Sequence, residues 1–502
     1  MCIIIALKYL NILSPLIEYY KENSFDCCIL IKIMKATQRI SRREFLQAAS
    51  AGIAVLAVSL QARGAVAGWD SVAQILGRIR PPVFPQRDFD IVRHGAAGDG
   101  ITDCSEAMHK AIDACTRSGG GRVVVPAGDF LTGPIHLRSN VNLHLSEGAR
   151  LRFIQDPDRY LPSVYTRWEG VECMGYSSFI YAFQQENIAV TGSGILDGQA
   201  DNEHWWPWTG SPLSGGSSER PNQMAARSRL FKMGEDDAPV HQRLFGAGSF
   251  LRPNFLQFYR CNNILLEGVT VRNSPMWQIH PVLCTNVTVR GVSMISHGPN
   301  NDGCNPESSR NVLIDNCLFD TGDDCIAIKS GRNRDGRRIG VPSENIVVRN
   351  CRMKEGHGGV TIGSEASGGV RNVFAENCSM DSPNLDRALR LKTNSVRGGF
   401  IENVFMRNVT VGQVTDAMLR IDLFYEEGDA GQFPPAIRNI EMSHVTGKKS
   451  KYALYLRGYK QAPLRDIRLS DCAFENVAQA DVVENVEGLT FDRVTVNGQL
   501  RR

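Results

Sequence analysis

Asn311-Val312-Leu313-Ile314-Asp315-Asn316-Cys317 carries the phrase on which the fold turns: an Asn, an apolar zigzag, and a small apolar side chain six residues after the Asn. The phrase opens again at Asn187, Asn263, Asn286, Asn345, Asn372, Asn403, Asn439 and Asp466, and Gly488 closes the series. From Asn263 onward the starts lie 23, 25, 34, 27, 31, 36, 27 and 22 residues apart. Short alternating strands at such a period predict stacked coils rather than a folded-up sheet. Leucine-rich horseshoes have similar periods, but their leucine pattern and helical half are missing. The expected fold is all-β, a right-handed parallel β-helix whose coils lie about 4.8 Å apart. In such a stack the turn Asn of one coil can bond that of the next, satisfying backbone and side chain together.

The sixth position of the phrase holds Cys317, Cys351, Cys378 and Cys472 in some coils and Val269, Val292, Val409, Val445 and Val494 in others. A slot that accepts either residue is a small buried apolar site, and a free Cys behaves there as a small hydrophobe. The chain has fourteen Cys, three of them before residue 30. Most are therefore expected to be reduced core residues, with a disulfide such as Cys104–Cys115 left open. No Cys/His spacing suggests zinc.

Ahead of the repeats, Gly95-Ala96-Ala97-Gly98-Asp99-Gly100 lacks both the Gly-Lys-Ser/Thr ending of a phosphate loop and dinucleotide spacing. It reads as a turn leading to a helix near 105–117 that caps the first coil and its open edge. Residues 68–88, with Pro81, Pro82 and Pro85, read as a linker without regular structure. The catalytic solenoid is expected over 89–500, interrupted by a long insertion loop at 201–252 rich in Gly, Ser, Pro and Trp. Its Trp205, Trp206 and Trp208 either wall a cleft, offering indole faces to sugar rings, or pack onto the solenoid.

Ser41-Arg42-Arg43-Glu44-Phe45-Leu46, an apolar run from Ala48 to Leu60 and Ala65-Val66-Ala67 together read as a twin-arginine signal peptide spanning 34–67. The run is short for a membrane span. This predicts a periplasmic or secreted protein with no membrane attachment after cleavage. Residues 1–33 stand oddly before the signal and read as an over-extended reading frame, with Met34 the expected start. N-terminal sequencing of the precursor tests that. Residues 1–67 carry eight Lys/Arg against four Asp/Glu, so 48 basic face 49 acidic residues in the remainder. No basic field remains for nucleic acid or an anionic membrane.

Four polar clusters fall on successive coils: Asn300-Asn301-Asp302, Gly322-Asp323-Asp324, Gly356-His357-Gly358 and Arg390-Leu391-Lys392. Asp323 lies twelve residues after Asn311, and His357 twelve after Asn345, so the two should be neighbours on adjacent coils. Asp302 closes the coil before. Arg390 and Lys392, at i and i+2, share one strand face. Thr321-Gly322 offers the bend that would let both Asp323 and Asp324 reach a cleft. Clustered carboxylates raise at least one pKa, which supplies both a general acid and a base. Glycoside hydrolysis needs that pair, and Arg390 with Lys392 could hold a substrate carboxylate. Lys329, aligned with Lys392 two coils back, reads either as a structural charge or as part of the cleft floor.

These four motifs, at coil spacing, resemble those of the polygalacturonases, glycoside hydrolase family 28, over most of 88–460. The family pattern has Thr where Asn301 stands and Ile where Leu391 stands; neither change touches a reactive group. The resemblance implies hydrolysis of α-1,4-galacturonosidic bonds of pectin by single-displacement inversion, with no metal or cofactor. It implies Asp323 as general acid, Asp302 and Asp324 as activators of water, and His357 as the acid's tuning partner. It also implies Arg390, Lys392 and Asn300 as substrate-binding residues. His94-Gly95 through Gly128 and Trp168-Glu169-Gly170-Val171-Glu172 resemble bacterial members of exo type. A rhamnogalacturonan or xylogalacturonan hydrolase is the nearest alternative. A calcium-dependent pectate lyase and a non-catalytic glycan-binding solenoid are the alternatives of other classes. The expected partner is a pectic polysaccharide or oligogalacturonide, with the oligomeric state open.

Overall fold

The computed structural model describes residues 68–502; the segments read as an over-extended frame at 1–33 and as a signal peptide at 34–67 lie outside the described residues. From Asp88 to the C-terminus, parallel strands pair coil upon coil in a right-handed β-helix. The register follows the phrase: Val312 pairs with Ile346, Ile346 with Val373, and Val373 with Val404. The turn Asn residues form the expected ladder. Asn140, Asn187, Asn263, Asn286, Asn311, Asn345, Asn372, Asn403 and Asn439 are each linked to the next by an amide Nδ2 donating to the preceding Oδ1, at 2.7–3.2 Å. All nine have positive φ. Asn tolerates that left-handed backbone better than other side-chain-bearing residues, so one residue type meets both demands of the turn.

The cysteines take the core slots. All eleven among the described residues are free and buried, Cys104 and Cys115 included, so no disulfide joins those two. Cys115 lies on the capping helix Ser105–Arg117, which buries Ala107, Met108, Ala111 and Ile112 over the first coil. At the other end, Thr495–Val496 folds back antiparallel on Gln499–Leu500.

Two expectations need correction. Residues 71–78 are helical rather than a structureless linker, with Val72 and Ile75 buried. The prolines act only from Pro81 onward. Ahead of them, Val72 and Ile75 at i, i+3 give the segment an apolar face. Its target is an outward-facing apolar stripe in which Leu313, Val347, Phe374 and Phe405 lie in register on neighbouring coils. Trp69 meets Phe374 and Phe405 edge-on at 5.5 and 6.2 Å, with the Arg407 guanidinium 3.9 Å above its own ring. These strands are thus covered on both faces, where alternation alone suggested one.

The insertion is likewise built rather than open. It contains the helix Met224–Glu235, the 3-10 turn Trp206–Thr209 and the short strand Leu244–Phe245. Leu244–Phe245 extends a hairpin formed by Val164–Trp168 and Val171–Gly175. Leu230, Phe245 and Leu251 of the insertion share a satellite core with Trp168, Val171 and Trp277.

One face of the solenoid is interrupted where the polar motifs fall. Four strands ending at Ile279–Val282 form one segment of this face, and six beginning at Ile326–Ile328 form the next. Between them the coil of Asp302 contributes only isolated bridges, Cys304 to Ile279 and Ile326, and Glu307 to Val282 and Lys329. Pro306 has no N–H to donate to a ladder. The chain is there free to leave strand geometry and present side chains outward.

Candidate active site

The break in the sheet brings the sequence-predicted carboxylates together. Asp302, Asp323 and Asp324 each place an oxygen within 4.8 Å of the others. The strand Leu318–Thr321 stops at the bend, and Ile326–Ile328 resumes beyond it. Glycine is required at the bend because a Cβ on Gly322 would come within 2.5 Å of the Gly298 carbonyl oxygen. On the next coil a Cβ on Gly358 would lie 2.3 Å from Thr361 Oγ1 and 3.0 Å from Asp324 Oδ1. The glycines flanking the acidic and histidine motifs therefore let adjacent coils approach closely.

Each carboxylate has its own surroundings. Asp324 is buried, accepting from Lys392 Nζ at 2.8 Å, Thr361 Oγ1 at 2.9 Å and Arg390 Nη1 at 3.3 Å. Burial opposes its ionisation, but the two cations hold it well below the usual carboxylate range. Asp323 meets His357 Nδ1 at 2.9 Å, the neighbour relation expected from the shared slot. Burial is the largest single influence on Asp323 and pushes it up, yet the His357 bond together with the charges of His357 and Lys392 leaves the carboxyl below its ordinary value. The same bond raises His357. Asp302 accepts from Asn305 Nδ2 at 2.8 Å, with Lys329 Nζ 3.9 Å away. Burial first, and then repulsion from Asp323, drive Asp302 far above the usual range. Three carboxylates this close cannot all ionise. Asp324 is the fixed anion, and one proton belongs to the Asp302–Asp323 pair, which titrates as a unit.

Arg390 and Lys392 lie on the strand Arg387–Lys392, as expected from their spacing. Both are engaged by Asp324, so they set its charge as well as facing the cavity. Asn300, in left-handed conformation, accepts a 2.6 Å bond from the buried Arg252. Asn301 is structural: its Oδ1 accepts from Ser296 and Gly298, and its Nδ2 donates to the carbonyls of Ser274 and Met276.

The cavity above these groups measures about 230 Å³ and draws on more residues than the four motifs. Lys329 is part of its floor: it donates to Glu365 at 3.0 Å, and its ammonium lies 4.6 Å over the Trp277 ring. Arg227, Glu169, Arg332, Tyr425 and Glu426 complete the wall. Trp277 and Arg227 stand outside the motifs and were not found by counting from the repeat Asn. The insertion does wall the cavity, but through Arg227 rather than its tryptophans. Trp205 is buried against Tyr160 and Phe179, and Trp208 meets Trp205 and Phe250 edge-on. A larger cavity, about 480 Å³, lies beside the capping helix. Its single carboxylate among basic and neutral side chains offers no acid–base pair.

Among the described residues, two clusters of acidic and His side chains have metal-like spacing. In Asp302, Asp323 and Asp324 the positions a cation would take are contested by Lys329, Lys392 and Arg390. In His297, Asp320 and Glu355, Asp320 is already paired with Lys354 at 2.6 Å. Calcium needs about six to eight oxygen ligands, far more than either group provides. The arrangement suits proton transfer beside a bound anion.

The model of the glycosyl hydrolases family 28 matches residues 247–495. The crystal structure of a hyperthermoactive exopolygalacturonase from Thermotoga maritima is 48% identical, with a TM-score of 0.84 over 86% of this chain and 96% of that one. An exo-poly-alpha-D-galacturonosidase of Dickeya chrysanthemi is 27% identical over 78% of this chain and 67% of its own length. A probable polygalacturonase of Vitis vinifera is 28% identical over 80% of this chain and 77% of its own.

Proposed function

Because the chain belongs to glycosyl hydrolases family 28, we propose that it hydrolyses α-1,4-galacturonosidic bonds of pectic galacturonan from a chain end. The observation that carries this reading is the set Asp302, Asp323 and Asp324, with oxygens within 4.8 Å of one another, next to the cations Arg390, Lys392 and Lys329. Asp323, at the mouth with the exposed His357, donates the proton to the departing glycosidic oxygen. On the inner side Asp302 takes a proton from water as the water oxygen attacks the anomeric carbon, and the Asp324 anion orients that water. The proton that burial favours on Asp302 must move to Asp323 as substrate enters, leaving Asp302 able to act as base. His357 holds Asp323 in place and spreads the charge left after donation. Water adds opposite the leaving group in one displacement, so the configuration inverts.

The inverting pattern ordinarily separates acid and base by about 6.5–9.5 Å. Here the carboxylate oxygens lie within 4.8 Å, so the water must sit beside the base pair rather than between well-parted groups. The exo mode is supported by the likeness to exo-acting polygalacturonases and by Arg227, Glu169 and Arg332, which line the cavity from outside the repeat. Cations beside the carboxylates favour a uronate over a neutral sugar at the cleavage point. The test is incubation with defined oligogalacturonides in the presence of chelator. Galacturonate should be released from the first minutes, with one reducing end per cut and no unsaturated product. Mixed oligomers at early times would overturn the exo mode, and unsaturated ends lost with chelator would overturn hydrolysis.

The twin-arginine segment supports export to the periplasm or medium, with cleavage after Ala67. No helix among the described residues is long and apolar enough to cross a membrane. Replacing Arg42 and Arg43 by Lys should retain the unprocessed precursor in the cytoplasm. Unchanged export of that variant would contradict the assignment.

A further inference from the structure

The inner wall of the cavity is assembled from three segments that the repeat does not relate. The first is the turn Glu169-Gly170, which joins the antiparallel strands Val164–Trp168 and Val171–Gly175. Both turn residues have positive φ, 41° and 84°, the geometry of a tight two-residue hairpin. The second is the insertion helix Met224–Glu235, which packs on that hairpin so tightly that a Cβ on Gly234 would meet Val171 at 3.1 Å. The third is the loop at Gly331-Arg332, whose Arg332 N–H donates to the Gly170 carbonyl at 3.0 Å.

Their side chains interlock at the wall. Arg227 and Phe231 sit at i, i+4 on one helix face. The Arg227 guanidinium lies 4.6 Å from the Phe231 ring centre, and that of Arg332 lies 4.0 Å from it. Arg227 pairs with Glu169 through Nε at 2.9 Å and Nη2 at 2.8 Å. Arg332 is surrounded by carboxylates: Glu365 at 3.3 Å, Glu426 at 3.5 Å and Glu169 at 3.8 Å. Arg332 is thus neutralised and buried. Arg227 has one carboxylate partner, and its Nη1 makes no hydrogen bond with any described residue. Stacking on a ring and a one-sided ion pair leave a guanidinium edge oriented and available for a second anion.

We propose that Arg227 is a specificity-determining residue that receives the carboxylate of the terminal, non-reducing galacturonate. Glu169, Phe231 and Arg332 act as its positioning residues. The inference rests on the exo reading above. Asp323 and the exposed His357 lie at the mouth, so the leaving chain departs to solvent and the sugar being cut off lies inside. Under the exo reading that sugar has no further unit attached, and Arg227 and Arg332 line the cavity around it.

The test compares wild type with Arg227→Ala and Arg227→Lys on two trigalacturonates. One is native; in the other the non-reducing carboxyl is reduced to the alcohol. Wild type should prefer the native substrate by at least tenfold in kcat/KM, the size of one lost charge-assisted contact, about 1.4 kcal/mol. Arg227→Ala should abolish the preference, chiefly through KM, and should release some dimer from longer chains. Arg227→Lys should recover part of the preference. Equal preference in wild type and Arg227→Ala would overturn the proposal, as would monomer-only release with an unchanged KM. Failure of the exo reading itself would show separately, as mixed oligomers from wild type. If Arg227→Ala does not fold, Phe231→Leu, which loosens the stack but keeps the charge, must weaken the preference; an undiminished preference would equally overturn the proposal.

Discussion

Two columns of polar residues climb the same coils and obey opposite rules. At one turn, nine Asn residues from Asn140 to Asn439 repeat one side chain and one hydrogen bond. On the interrupted face the residue changes at every coil, from Asp302 to Asp323 and Asp324, then His357, then Arg390 and Lys392. Each member of the first column satisfies its neighbour with an identical group. Each member of the second is held by an unlike group: imidazole against carboxylate, or cation against carboxylate. A repeated residue relieves the same backbone problem in every coil. A varied residue holds charges in a relation that no structural demand requires. Along a solenoid axis, sameness marks architecture and change marks chemistry.

The comparison breaks if the second column also holds the fold together. Asp323→Asn should lower kcat by about 10³-fold or more, the scale of a lost general acid, while the melting transition stays in place. A protein that unfolds instead would make Asp323 architectural. Asn345→Ala should do the reverse. It loses its bond to Asn311 and the one it receives from Asn372, and it forces Ala into a left-handed backbone. Together these should cost roughly 2–4 kcal/mol of stability, read by denaturant unfolding, with kcat of the folded protein intact.

A subtler distinction lies in titration. His357 gains its bond to Asp323 in the folded state, so its pKa is raised from 6.5. The stabilisation is complete below the unfolded value and is lost as pH rises through the raised folded value. Imidazole resonances of His357 should titrate above 6.5, and in Asp323→Asn the midpoint should fall. An unmoved midpoint would detach His357 from the acid. The smallest effect belongs to the core. Cys351→Val matches a slot that holds Val in other coils, so stability should change by less than about 1 kcal/mol. A larger loss would mean that the thiol does more than fill space.

What the sequence disclosed follows from the same contrast. Counting from the repeat Asn found the ladder, the Cys slot and the Asp323–His357 contact, because coil registry converts linear spacing into proximity. Asp302, Arg390 and Lys392 followed for the same reason. The wall did not, since Glu169, Arg227, Arg332 and Glu426 come from a hairpin, an insertion and two loops with no fixed offset. Trp277 gave no signal, being one aromatic residue in an apolar stretch. The helix Ser71–Arg78 was missed because its partner stripe, Leu313 to Phe405, faces outward, and strand alternation marks that side as solvent. That Arg390 and Lys392 both pair with Asp324 could not be read from spacing, which places backbones and leaves side-chain partners undetermined.

Proton NMR of polygalacturonate during early digestion, with excess chelator, tests the central claim most directly. The account predicts galacturonate appearing first as the β-anomer, from inversion at an α-linkage, with no vinylic signal and no loss of rate to the chelator. First appearance of the α-anomer would contradict single displacement by water, and a vinylic proton would contradict hydrolysis itself.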